Sequence, residues 1–183
     1  MLATLQQVGQ LCQSPFNAGF LTHLYAIQAR DVVYVHSPGA DSVSQPLGAI
    51  GIQPGSVITE FRIRTKTATF SETMAESADG IAYQTSLSFP MKGTAPELTN
   101  WVHKNRKRRY ILLTRDTLGN CYMMGSFDNG MRVSWNRQVG SQSLHQFAFN
   151  LINWHPVQFI PTIDLENIFP HREFDYSFDI SFS

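Results

Sequence analysis

Cationic side chains form the most concentrated chemistry in this sequence. The run His103-Lys104-Asn105-Arg106-Lys107-Arg108-Arg109 gathers five Lys and Arg residues, and Arg62, Arg64 and Lys66 recur at every second position. Clustered cations bind phosphate backbones by releasing counterions, or they face a carboxylate-bearing neighbour. Cations at a helix C-terminus also complement its free carbonyls and its dipole. Formal net charge is zero, from 14 basic and 14 acidic side chains, which argues against a dedicated nucleic-acid binder. The alternating triplet at 62–66 reads either as a solvated strand face or as a subunit contact.

Other reactive residue types are scattered. Histidines stand at 23, 36, 103, 145, 155 and 171, and the two cysteines are Cys12 and Cys121; none shows zinc-ligand spacing. No nucleophile elbow, P-loop or dinucleotide-binding glycine pattern is present. The glycines of GAIGIQPG lie in a Pro- and Ser-rich stretch and are expected in turns. Glu72 and Glu76 flank Met74 in a polar bend, Glu97 suits a helix cap, and Asp175 and Asp179 recur on one face of a strand pattern. No acid–base pair with a reason to be perturbed emerges. The expectation is a protein that is not an enzyme and that holds no metal or cofactor.

Strands are the elements that must position these side chains. VITEFRIRTKTATF alternates, with Phe61, Ile63, Thr65 and Thr67 facing one way and Arg62, Arg64 and Lys66 the other. IAYQTSLSF alternates again, with Tyr83, Thr85, Leu87 and Phe89 together. Around the break at ESADG the two runs predict a long antiparallel hairpin. GTAPELTNWVHKNRKRR is the best helix, with Thr94 and Glu97 spaced as a capping box and Pro96 in the first turn. RYILLTR and CYMMGSF, around a turn at 116–120, predict a hairpin; a turn at 128–130 leads to MRVSWNRQV, and HQFAFNLINW and HPVQFIP follow. Asp31 to Val35 is a further strand, residues 1–12 suit a short amphipathic helix, and a long loop is expected near 37–56. Trp101, Trp135 and Trp154 are expected to anchor the core.

No βαβ alternation appears, so a parallel sheet is not expected. The expected class is mainly β: an antiparallel sandwich or barrel with a long hairpin and one flanking helix. Residues 1–160 would form the domain, and 161–183 a linker and strand arm. That arm reads EFDYSFDISFS, with Phe174, Tyr176, Phe178, Ile180 and Phe182 on one face. Burying five such side chains is worth roughly 7–15 kcal/mol before ordering costs, so the arm is expected to pair with a sheet edge, most readily on a neighbouring subunit.

Composition agrees. Charged residues make up only 15% of the chain, against about 25% in ordinary soluble domains. Either much of the surface is buried in an assembly, or a β-rich domain uses Ser, Thr, Asn and Gln as its polar residues. The N-terminus lacks a basic segment before an apolar one, no run is long enough to span a membrane, and two lone cysteines suit a reducing compartment. A cytoplasmic product without a membrane partner is expected.

Phe70-Ser71-Glu72, Tyr83 to Phe89, Arg108 to Asn120 and Gly125-Ser126 form a pattern that resembles structural proteins of tailed bacteriophages and prophages of Bacteroidetes hosts. The resemblance runs from about Thr59 to Val157. It implies a tail-tube-like fold and a homo-oligomeric ring, hexameric in such tubes, that stacks with other virion tail proteins. Hairpins of adjacent subunits would line a lumen through which DNA passes without sequence-specific binding. It also implies a place in the virion tail after assembly in the host cytoplasm. On this reading the subunit-interface residues are Arg62, Arg64, Lys66, Phe70, Tyr83, Phe174, Tyr176, Phe178, Ile180 and Phe182. The alternative is a monomeric β-sandwich binding module for carbohydrate or protein.

Overall fold

The strand RYILLTRD is apolar without alternation, as a strand covered on both faces must be. In the computed structural model, which describes residues 20–35, 50–64, 66–77, 80–92, 96–139 and 144–160, this strand is the hub. Here β7 (Arg109–Asp116) is buried continuously from Tyr110 to Thr114. Tyr110 and Leu112 face the larger core; Ile111 and Leu113 face a second one. One edge of β7 pairs with β1 (Leu21–Gln28), and β1 pairs in turn with β4 (Ile58–Phe61). The other edge pairs first with β9 (Met131–Gln138), at Arg109 and Tyr110, and then with β8 (Cys121–Met124). Beyond β8 lies β11 (Gln158–Ile160); beyond β9 lie β10 (Leu144–Asn153), β6 (Gly80–Lys92) and β5 (Thr69–Ser77). Every pairing is antiparallel. The protein is mainly β, as expected.

The sheet cannot be flat. Five strand steps separate β4 from β6, which in a flat sheet is about 24 Å. Yet the Phe61 ring lies 5.4 Å from Phe89, 5.8 Å from Phe147 and 6.0 Å from Phe149. The opposite edges also meet: Phe70 of β5 is 5.9 Å from Tyr122 of β8, and the Val157 amide donates to Glu72 Oε1 at 2.7 Å. The sheet therefore curls over the larger core into an open barrel, with no main-chain ladder between β5 and β11 among the described residues. Helix α1 (Pro96–Asn105) flanks the Phe61 side, with the Trp101 ring edge-on to Phe61 at 5.2 Å and stacked on Tyr110 at 5.8 Å.

The second core lies on the other face of β7 and β1. A small sheet of β2 (Val32–Val35) and β3 (Ile50–Ile52) covers it, contributing Val32 and Ile50. This corrects the expectation of a loop throughout 37–56. Ile50 and Ile52 supply an apolar edge, and Gly51 is required between them because the Tyr34 ring occupies the place of a side chain there.

Two further expectations are corrected. VITEFRIRTKTATF is not one strand: it splits into β4 and β5, with Arg62 to Ala68 between them and Lys66 at φ 68°. The helix ends at Asn105, whose side-chain amide donates to the Trp101 carbonyl at 2.7 Å, so Arg106 to Arg108 follow the helix and Arg109 opens β7. The capping residue Thr94 and the terminal pattern 174–182 lie outside the described residues.

Tyr110 carries a cost within this core. Its ring is buried, and its hydroxyl has no hydrogen-bond partner among the described residues. Tyr110→Phe keeps the ring contacts and removes the unpaired group, so stability in urea titration should rise by about 0.5–1 kcal/mol. A fall would mean that the hydroxyl is satisfied in solution.

Candidate assembly surface

The β5–β6 hairpin grows out of the barrel wall. Its register pairs Phe70 with Leu87, Glu72 with Thr85, Met74 with Tyr83 and Glu76 with Ile81 on one face. The other face pairs Thr69 with Ser88, Ser71 with Ser86, Thr73 with Gln84 and Ala75 with Ala82. The first face is anchored only at its base, by the Phe70–Tyr122 contact and by Glu72, which accepts from Val157 N and, at 3.5 Å, from Thr85 Oγ1. Beyond that anchor the strand meets no core. Residues 71–76 are exposed on both faces, and Met74 and Ile81 are 61% and 47% exposed. The outer edge of β5 has no strand partner among the described residues. An open edge beside exposed apolar side chains is a surface that other chains can pair with.

Of the residues expected at an interface, Phe70 and Tyr83 lie on this hairpin and share its first face. Phe70 is half-buried against the core, and Tyr83 is half-buried between Met74 and Asn153. Arg62, Arg64 and Lys66 do not form the strand stripe read from their spacing. They sit on the β4–β5 connection, where the Thr67 hydroxyl donates to the Arg64 carbonyl at 2.6 Å. Arg62 lies 3.9 Å from Glu60, and Lys66 Nζ lies 5.6 Å over the Phe20 ring. All three are exposed. Phe174, Tyr176, Phe178, Ile180 and Phe182 lie outside the described residues.

Reactive groups inside the fold serve structure. Asp116 closes the β7–β8 turn: its Oδ1 accepts from Leu118 N and Asn120 N, and its Oδ2 accepts from Asn120 Nδ2 and Tyr122 OH, all within 2.8–2.9 Å. Burial, then the Asp116 carboxylate that its hydroxyl bonds, pushes Tyr122 up to about 12. Burial likewise pushes Tyr110 up to about 12. A raised folded-state value means that both tyrosines contribute fully below their unfolded value of about 10 and lose that contribution as pH climbs toward 12. Denaturant midpoints should therefore be flat from pH 7 to 9 and fall above pH 10, while absorbance at 295 nm shows two tyrosines ionising late. Trp135 Nε1 donates to His145 Nδ1 at 3.0 Å inside the wall. No group of three or more His, Cys, Asp and Glu able to hold a metal occurs among the described residues.

Two surface features escaped the sequence reading. A cleft of about 220 Å³ opens between the loop after β8 and the loop before β11, with Asp128, Asn153 and His155 on its walls and Phe127 exposed beside it. Trp154, expected in the core, is 63% exposed next to this cleft. On the outer face, Arg109 and Arg132 are cross-strand partners. Only the turn that brings β9 back alongside β7 could have signalled that pairing. No helix among the described residues is long and apolar enough to cross a membrane.

The chain matches no protein family, no curated protein and no solved structure. What it does must therefore be argued from its own surface.

Proposed function

We propose that this protein is a structural component of a bacteriophage tail that self-assembles into rings or a tube conducting DNA. The observation that carries the reading is the β5–β6 hairpin: its residues 71–76 are exposed, its outer edge has no strand partner among the described residues, and Met74 and Ile81 lie exposed on one of its faces. Such a hairpin is completed by the same hairpin of a neighbouring copy, and successive copies close a ring. The resemblance to tail structural proteins supplies the context: a hexameric ring, other tail proteins above and below it, and a lumen that DNA crosses without sequence-specific contact. The balanced net charge fits a passage that does not hold its cargo.

Negative-stain electron microscopy of the purified chain tests this directly. Rings or tubes are expected; single small particles at high concentration would overturn the reading. Met74→Thr combined with Ile81→Lys should abolish the rings and change folding stability by no more than about 0.5 kcal/mol, because neither side chain is in the core and the new lysine faces Glu76 across the hairpin. Deleting residues 172–183 should weaken assembly in light scattering.

A second reading, a monomeric binding module for carbohydrate or protein, draws on the cleft beside Phe127 and Trp154. Exposed rings next to Asp128, Asn153 and His155 offer the apolar faces and planar polar groups that sugars require. Monodisperse small particles that bind a glycan would favour it.

A further inference from the structure

Arg109 and Arg132 face one another across the β7–β9 pairing on the outer surface of the barrel, and both are exposed. Like charges directly opposite each other in a sheet are destabilising. Among the described residues no carboxylate relieves them: the ion pairs there are Arg30–Asp31 and Arg62–Glu60, and Arg109 makes a 3.4 Å hydrogen bond to Asn129 Oδ1. The two guanidinium groups border a shallow cleft of about 390 Å³ with Gln84, Asn129, Asn150 and Ile152. Its wall is built, because Asn129 Nδ2 donates to the Ile152 carbonyl at 2.8 Å and pins the β8–β9 loop to the end of β10. The cleft thus offers two adjacent cations, amide side chains and an apolar rim at Ile152, which is 67% exposed.

The chain itself contains the complement. Residues 161–183 carry Asp164, Glu166, Glu173, Asp175 and Asp179 against Arg172 alone, while every lysine and every other arginine precedes residue 160. Body and C-terminal segment therefore have opposite net charge. In an extended segment Glu173 and Asp175 fall on one face about 6.6 Å apart. Cross-strand partners such as Arg109 and Arg132 lie about 4.5–5.5 Å apart, so each arginine meets one carboxylate as a charge-assisted pair.

We propose that the Arg109–Arg132 cleft is the docking site for the acidic segment around Glu173 and Asp175 of a second copy of this chain. This rests on the self-assembly reading and names a contact within it. The opposite, aromatic face of the segment remains available for a sheet edge.

The test uses two full-length variants. Arg109→Glu with Arg132→Glu disables the cleft and keeps the segment; Glu173→Lys with Asp175→Lys does the converse. In sedimentation velocity each alone should associate about tenfold or more weakly than the wild type, whereas their mixture should not remain two monomers. Like charges block contacts within each variant, whereas between the variants the intact segment meets the intact cleft and the converted segment meets the converted cleft, so the two co-assemble 1:1. Circular dichroism checks folding, and Arg109→Gln with Arg132→Gln replaces the reversed pair if that chain is unfolded. Wild-type association in either variant, or a mixture that stays monomeric, overturns the proposal. Rings formed equally well by the wild type and both variants would leave the tail reading standing and end this docking site. Wild-type chains that form dimers but no rings, with the mixture still pairing 1:1, would do the reverse.

Discussion

Phe61→Ala should cost about 3–5 kcal/mol, as the loss of a large buried ring does. Phe61 is the buried residue of a four-residue strand, β4, whose ladder partner is β1. Main-chain pairing at the edge of a sheet therefore holds β4 weakly, and its position depends on the ring. That ring is 4% exposed and lies within 5.2–6.0 Å of Trp101, Phe89, Phe147 and Phe149. These partners come from the helix, β6 and β10, elements that a flat sheet would hold far from β4. Removing the ring deletes buried area, leaves a cavity and breaks aromatic contacts worth about 0.5–1.5 kcal/mol each beyond area. The loss is a large part of the roughly 5–15 kcal/mol that stabilises an ordinary domain, so the melting temperature should fall by about 6–20 °C. Phe61→Leu, which refills part of the space, should cost less than half as much. A loss below about 1 kcal/mol in urea titration for the alanine variant would mean that β4 does not close the curl.

The contrast between Phe61 and Lys66 shows what was legible in the sequence. Phe61, Leu87, Phe89, Phe147 and Phe149 all occupy alternating positions, and all are buried. A period of two states which face a residue takes, and burial follows from it. The break between β4 and β5 was not legible, because Thr and Arg keep alternating straight through it; nothing in that pattern encodes a positive φ at Lys66. Strand β3 was hidden for another reason. Its three residues lie among glycines and prolines, and what makes them a strand is a distant partner, Val32 to Val35. Trp154 carries a core-like side chain but sits where β10 has already left the barrel, so its type misled.

The same distinction applies to the surface. The β5–β6 hairpin was legible because its two strands are neighbours in sequence, and its register then puts Phe70 and Tyr83 on one face. Arg109 and Arg132 were not. Arg109 read as the end of a basic helix, and its pairing with Arg132 depends on which strand β7 borders at its first two residues. Chemistry assembled by long-range register is invisible to periodicity, however regular each strand is.

Asp116 lies at the other junction of the curl, and Asp116→Ala should cost about 2–4 kcal/mol. The carboxylate is 6% exposed and accepts four hydrogen bonds. Its removal leaves the Leu118 and Asn120 amides and the Tyr122 hydroxyl without that acceptor, and unmade bonds at part-buried donors cost about 1–3 kcal/mol each before water or rearrangement recovers some of the loss. Asp116→Asn keeps one oxygen for the two amides but places an NH₂ against a donor, so it should fall between alanine and wild type. The effect should spread beyond the turn. Tyr122 packs on Phe70 at 5.9 Å and on Phe159 at 5.0 Å, so the hydroxyl anchored by Asp116 sets how β8 meets both β5 and β11. Losing the carboxylate should also lower the Tyr122 ionisation from about 12, since the Asp116 hydrogen bond and charge both hold it up, though burial remains the larger cause. Tyrosinate absorbance and urea titration on the same variants therefore separate two outcomes. A large stability loss with Tyr122 ionising earlier places the meeting of the sheet's two edges on this turn. An alanine variant that loses less than about 0.5 kcal/mol with Tyr122 unmoved would shift that role to Phe70 and Glu72 at the base of the hairpin.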